Sequence, residues 1–209
     1  AALTSRSHGE LSSSPSEDAA LQALVSATAV WSSPLTRAVQ TALVGLLPLL
    51  EASDLPMELK ANAREKKNFG GRDSIGSAIG AEVGSRALAE LASAGHVSSV
   101  DQERLRRVAL VTEEVEQKWW VTSVESPEQL DRRIGELMHQ IHFSAHDTII
   151  LVGHSHFFRA VFQRYLHAEL HQRSSDLANT LCEDILPNGG IAFCQLDFTR
   201  GPRMITEVV

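Results

Sequence analysis

Asp147-Thr148-Ile149-Ile150-Leu151-Val152-Gly153-His154-Ser155-His156-Phe157-Phe158-Arg159 is the stretch that decides the architecture. Asp147 to Gly153 holds a continuous apolar run too short for a helix and rich in β-branched residues, the pattern of a strand buried on both faces. Helical spacing begins at Phe157 and continues to Leu166. A strand therefore hands over to a helix at His154.

The same succession occurs earlier. Ala27 to Ser33 is an apolar run stopped by Ser32-Ser33-Pro34, and Thr36 restarts at helical spacing through Val39, Leu43 and Leu46 or Leu47. Between these units Met57 to Leu59 reads as a short strand, and Ala61 to Gly76 as a polar, glycine-bearing loop too long for a simple connection. Ile79 to Ala94 and Gln102 to Val111 read as helices, followed by an acidic segment, Glu113 to Trp120, that ends in a Trp119-Trp120 pair. Ser126-Pro127-Glu128 opens another helix, with Leu130, Ile134, Leu137, Met138 and Ile141 on one face and an end near Phe143. Gly189 to Phe198 reads as a closing strand after the Pro187-Asn188-Gly189 turn. At the start, Thr4 can cap a short helix, Ser12 to Asp18 reads as an exposed loop, and Ala19 to Ser26 as a helix. Alternating strands and helices imply an α/β fold of three layers, α/β/α, with a mostly parallel central sheet, in one domain over 1–209.

With 43% hydrophobic and 22% charged residues, a chain of 209 residues can bury a sizeable core. Its formal net charge of -7 and lack of a long basic run give no reason to expect a nucleic-acid or anionic-membrane partner, so an anionic substrate needs positive charge concentrated locally. Gly45 and Pro48 interrupt the longest oily stretch, Ala42 to Leu50, which falls short of a bilayer span; a soluble protein is expected. Cys182 and Cys194 form no CxxC pair and no disulfide-rich spacing, which favours free thiols in a reducing compartment such as the cytoplasm or an organelle interior. No metal-ligand cluster or nucleotide-binding glycine loop occurs, so no metal or cofactor is expected.

In such a sheet, ligands bind beyond the carboxyl ends of the strands. Arg37 falls there, in the first turn of a helix just past a strand, where free backbone N–H groups also favour an anion and a guanidinium can fork onto two phosphate oxygens. His154 falls at the tip of the second strand, where an imidazole can donate to a phosphoryl oxygen and, when protonated, add positive charge. Taken singly, Arg37 is better explained as a surface arginine at a helix start, and His154 as a histidine capping a turn or satisfied in the core.

Together the stretches "SSPLTRAVQTA" and "LVGHSHFFRAV" resemble the second-arginine and second-histidine motifs of the histidine phosphatase (phosphoglycerate mutase-like) superfamily, with Ser155 and His156 where glycines are common. "AREKKNFGG" resembles the loop that delivers that family's acid glutamate, and "WWVTSVESPEQLDRRI" the segment before the second-histidine strand. The resemblance implies a phosphomonoester hydrolase acting on a phosphorylated small molecule. Arg37, His154 and Ser155 would hold the phosphate, His154 would stabilise the transferring group, and Glu65 would serve as acid and base. Asp73 and Glu82 compete with Glu65 for the last role. Arg159 recurs in the pattern and is expected to brace its helix, and Trp119-Trp120 to pack against the sheet.

The family opens with a strand ending in Arg-His-Gly, whose histidine is the nucleophile. Only Arg6-Ser7-His8-Gly9 comes near, and the inserted serine puts Arg6 and His8 on one face of an extended segment. His8 is therefore read as a surface helix residue and the first strand as missing. Either strand and nucleophile lie upstream of Ala1, or the chain is a catalytically inactive phosphatase-like scaffold or a subunit of a larger protein assembly, with protein partners.

Overall fold

The computed structural model describes residues 15–67, 76–95, 97–184 and 186–209. The Arg6 to Gly9 stretch, the Thr4 helix and Asp73 lie outside them. Helix α1 (Pro15–Val25) leads into strand β1 (Ala29–Ser32), then α2 (Thr36–Gly45) and α3 (Leu47–Ser53), which split what reads as one helix. Strand β2 (Met57–Leu59), α4 (Ala81–Ser93), α5 (Ser99–Arg107) and β3 (Leu110–Val111) follow, then α6 (Pro127–His142), β4 (Ile149–Val152) and α7 (Ser155–Tyr165). The chain closes through α8 (Ala168–Arg173), α9 (Ser175–Glu183), β5 (Cys194–Leu196) and β6 (Ile205–Val208).

The central sheet has the order β3-β2-β1-β4, with all its pairings parallel. Alternation along β1 sends its residues into two cores. Ala29 and Trp31 join α6, α7, α8 and β6 around Ile134, Leu137 and Phe157, whereas Val30 joins α2, α4 and α5 around Val39, Leu43 and Leu105. Helices thus cover both faces, and the α/β reading with a parallel sheet holds.

Four expectations change. Gln102 to Val111 is not one helix: α5 ends at Arg107, Val108 turns extended (φ -64, ψ 120), and Leu110 and Val111 pair with Met57 and Glu58. Strand β4 is not fully buried. All four of its residues are partly exposed, because it pairs only with β1 among the described residues and so forms the sheet edge. The closing strand is shorter than Gly189 to Phe198 and pairs antiparallel with β6, which the sequence reading omits. Helices α8 and α9 were also unanticipated.

Helix α6 starts where expected and shows why. Ser126 Oγ accepts the N–H of Gln129 at 3.2 Å, while the Gln129 side chain accepts the N–H of Ser126 at 2.9 Å, a reciprocal capping box ahead of Pro127. Replacing Ser126 by alanine should cost about 1 kcal/mol of stability, read as a lower urea midpoint at unchanged m-value.

Candidate functional site

Strands β1 and β4 run parallel with Ser32 level with Val152, so their carboxyl ends lie side by side. The N–H of Ser33 donates to the carbonyl of Val152 at 2.9 Å, which fastens the two strand-to-helix turns together. From here α2 departs over one core and α7 over the other. Neither has a side-chain cap: Leu35 precedes α2 and His154 precedes α7. Two helix N-termini, neither with a side-chain cap among the described residues, therefore open at the same rim. Gly153 keeps this rim close-packed, since a Cβ there would stand 2.9 Å from the Phe158 ring and 3.7 Å from the Ala63 carbonyl oxygen.

His154 is buried, and its Nε2 lies 2.8 Å from the hydroxyl of Ser33, itself fully buried. Burial pushes the imidazole down to about 3, and the positive charges of Arg37 and Arg133 add to the shift. Arg37 and His154 are thus electrostatic neighbours. At neutral pH the ring is held uncharged, because burial and the two nearby cations both disfavour its protonated form. Ser155, half-buried, is the first residue of α7, so its N–H is among those that have no acceptor within the helix.

Glu65 lies in the loop after a 3-10 turn, Ala61–Ala63, at the end of β2, half-buried, its carboxylate accepting the N–H of Lys66 at 2.8 Å. The charges acting on His154 are Arg37 and Arg133, not Glu65; the Glu65 loop approaches the rim at Ala63, whose carbonyl oxygen would lie 3.7 Å from a Cβ at Gly153. Its competitor Glu82 sits in the first turn of α4, over the other core.

Arg133 was not singled out from the sequence. It is 3% exposed and donates Nε and Nη2 to the two oxygens of Glu125 at 2.6 and 2.7 Å, and Nη1 to the carbonyls of Asn62 and Arg64 at 2.9 Å each. It thus fixes the loop that carries Glu65 to helix α6 while placing a charge near His154. Arg64 adds a third member, donating Nη2 to Glu125 at 3.2 Å. Burial alone would raise the Glu125 carboxyl, but hydrogen bonds and charge from Arg133, with the charge of Arg64, outweigh it and hold the group below its usual value. Burial and the Arg133 charge pull Arg64 down to about 10. The signal was available: Arg133 falls between Leu130 and Ile134 on the apolar stripe of α6, where an unpaired charge would be costly.

Arg159 donates Nη1 to the carbonyl of Glu183 at 3.3 Å, tying α7 to the end of α9. Trp119 is buried, its Nε1 donating to the Ala78 carbonyl at 3.0 Å and its ring meeting Trp120 edge-on at 5.5 Å, a packing arrangement. Cys182 and Cys194 are free thiols. Among the described residues no group of three or more His, Cys, Asp or Glu side chains could hold a metal ion, and no helix is long and apolar enough to cross a membrane.

No family of known proteins, no curated protein and no solved structure is significantly similar to the chain.

Proposed function

We propose that this domain binds the phosphate of a phosphomonoester between Arg37 and His154 and, given an attacking histidine, hydrolyses it in the manner of the histidine phosphatases. One observation carries the reading: the charge of Arg37 acts on the imidazole of His154 at the shared carboxyl end of two adjacent parallel strands. A dianion there meets a guanidinium and two helix N-termini. It would also offset the arginine charges that add to burial in keeping His154 neutral, so binding should draw a proton onto the ring.

In the reaction, an imidazole nitrogen attacks phosphorus as the ester P–O bond breaks, and the leaving oxygen takes a proton from Glu65. Water then cleaves the P–N bond, losing its proton to Glu65. Arg37 and His154 stabilise the equatorial oxygens in both steps. The attacking imidazole is a second one, not His154.

A second reading, an inactive scaffold or assembly subunit that retains the phosphate site, is favoured by the contact between His154 and Ser33, which satisfies the imidazole internally. Hydrolysis of an aryl phosphate, with an acid-labile phosphoenzyme trapped, separates the two. Turnover supports the hydrolase, phosphate binding without turnover supports the scaffold, and binding of neither phosphate nor vanadate ends both. Arg37→Ala should weaken orthophosphate binding tenfold or more by calorimetry and raise the titration midpoint of the His154 ring by NMR.

A further inference from the structure

A cavity of about 570 Å³ opens between the outer face of α7 and the first turn of α6, lined by Lys66, Leu130, Asp131, His156, Arg159 and Arg164 among others. The helical spacing of His156, Arg159, Ala160, Gln163 and Arg164 sends one face of α7 into it. Lys66 reaches it from the loop carrying Glu65.

Its charge is unbalanced. Arg164 pairs with Asp131 across the cavity. Lys66 and Arg159 have no carboxylate partner among the described residues, although each is half-buried; Arg159 spends one N–H on the Glu183 carbonyl. Neighbouring Lys67 shows the contrast, its ammonium donating to the carbonyls of Val121 and Thr122 at 2.9 Å each. In a chain of net charge -7, two uncompensated cations and a histidine facing one concavity describe an anion site. Its position is equally informative. Lys66 follows Glu65 directly, and Arg159 is five residues beyond His154, about 7.5 Å along the helix at 1.5 Å per residue.

We propose that this cavity is a second phosphate-binding site, and that the substrate carries at least two phosphate groups, one held by Lys66 and Arg159 and the other by Arg37 and His154. The two-phosphate substrate rests on the function proposed above; the cavity's anion affinity does not.

Tripolyphosphate and orthophosphate binding by titration calorimetry tests it. Lys66→Gln/Arg159→Gln should weaken tripolyphosphate at least tenfold and leave the orthophosphate site that depends on Arg37 unchanged. Lys66→Gln alone, which breaks no side-chain hydrogen bond among the described residues, should cost severalfold, so misfolding of the double variant would not decide the outcome. Arg106→Gln/Arg107→Gln removes equal charge from the exposed face of α5 and should change nothing. Unaltered tripolyphosphate binding in the Lys66 and Arg159 variants, or an equal loss in the α5 control, would overturn the site. Loss in those variants with no effect of Arg37→Ala would leave the cavity standing and remove the Arg37 and His154 phosphate site instead.

Discussion

Glu125→Ala is expected to destabilise the domain by about 3–5 kcal/mol, the usual cost of stranding a buried charge. Glu125 is 2% exposed and is the carboxylate that both Arg133 and Arg64 engage. Without it, Arg133 remains 3% exposed, beside the ring of Phe157 and the backbone of the loop, with its charge uncompensated. Glu125→Ala/Arg133→Met should recover most of the loss, because it removes both buried charges and leaves Arg64, which lies nearer the surface, able to reach water. Urea unfolding of the two variants beside the parent decides the matter. A single-variant loss below about 1 kcal/mol would mean that the pair is not dry. The loop bearing Glu65 should also loosen in Glu125→Ala, seen as faster amide exchange around Asn62 and Arg64, whose carbonyls Arg133 now holds.

The second large effect is on pH. His154 titrates near 3 in the folded chain against an ordinary value of 6.5. The unfolded chain therefore binds a proton over that window that the folded chain refuses, and stability rises with pH from about 3 to 6.5. The contribution is full above 6.5 and lost as pH falls towards 3. At about 1.4 kcal/mol per pH unit it amounts to roughly 5 kcal/mol at most. Depressed carboxylates such as Glu125 pull in the same direction, so the test is a comparison. His154→Gln keeps a partner for Ser33 but cannot protonate, and its stability should fall less steeply between pH 6.5 and 4. Equal slopes in variant and parent would show that the imidazole is not held neutral by its surroundings.

The two strand-to-helix units were legible because each combines a short apolar run, small turn residues and a switch to helical period. Strand β3 was not, since two residues at the end of a charged helix carry no period of their own. Strand β6 lost its alternation to the irregularity at Gln195 and Leu196, which leaves Ile205 and Val208 as its buried residues. Of the candidate site, the positions of Arg37 and His154 followed from local pattern. The protonation state of His154 did not, because it depends on burial and on the charges of Arg37 and Arg133, which tertiary packing brings near.

The contact between Ser33 and His154 joins positions 121 residues apart. Closing so long a loop costs entropy before any contact repays it, so pairings of this kind tend to form late in folding. A nascent chain exposes Arg37 long before His154 is synthesised, and neither half alone holds the anion rim. An oxyanion gripped by both would thus recognise only the finished chain, acting as a ligand that selects for completed folding and shifts the balance away from partly assembled forms.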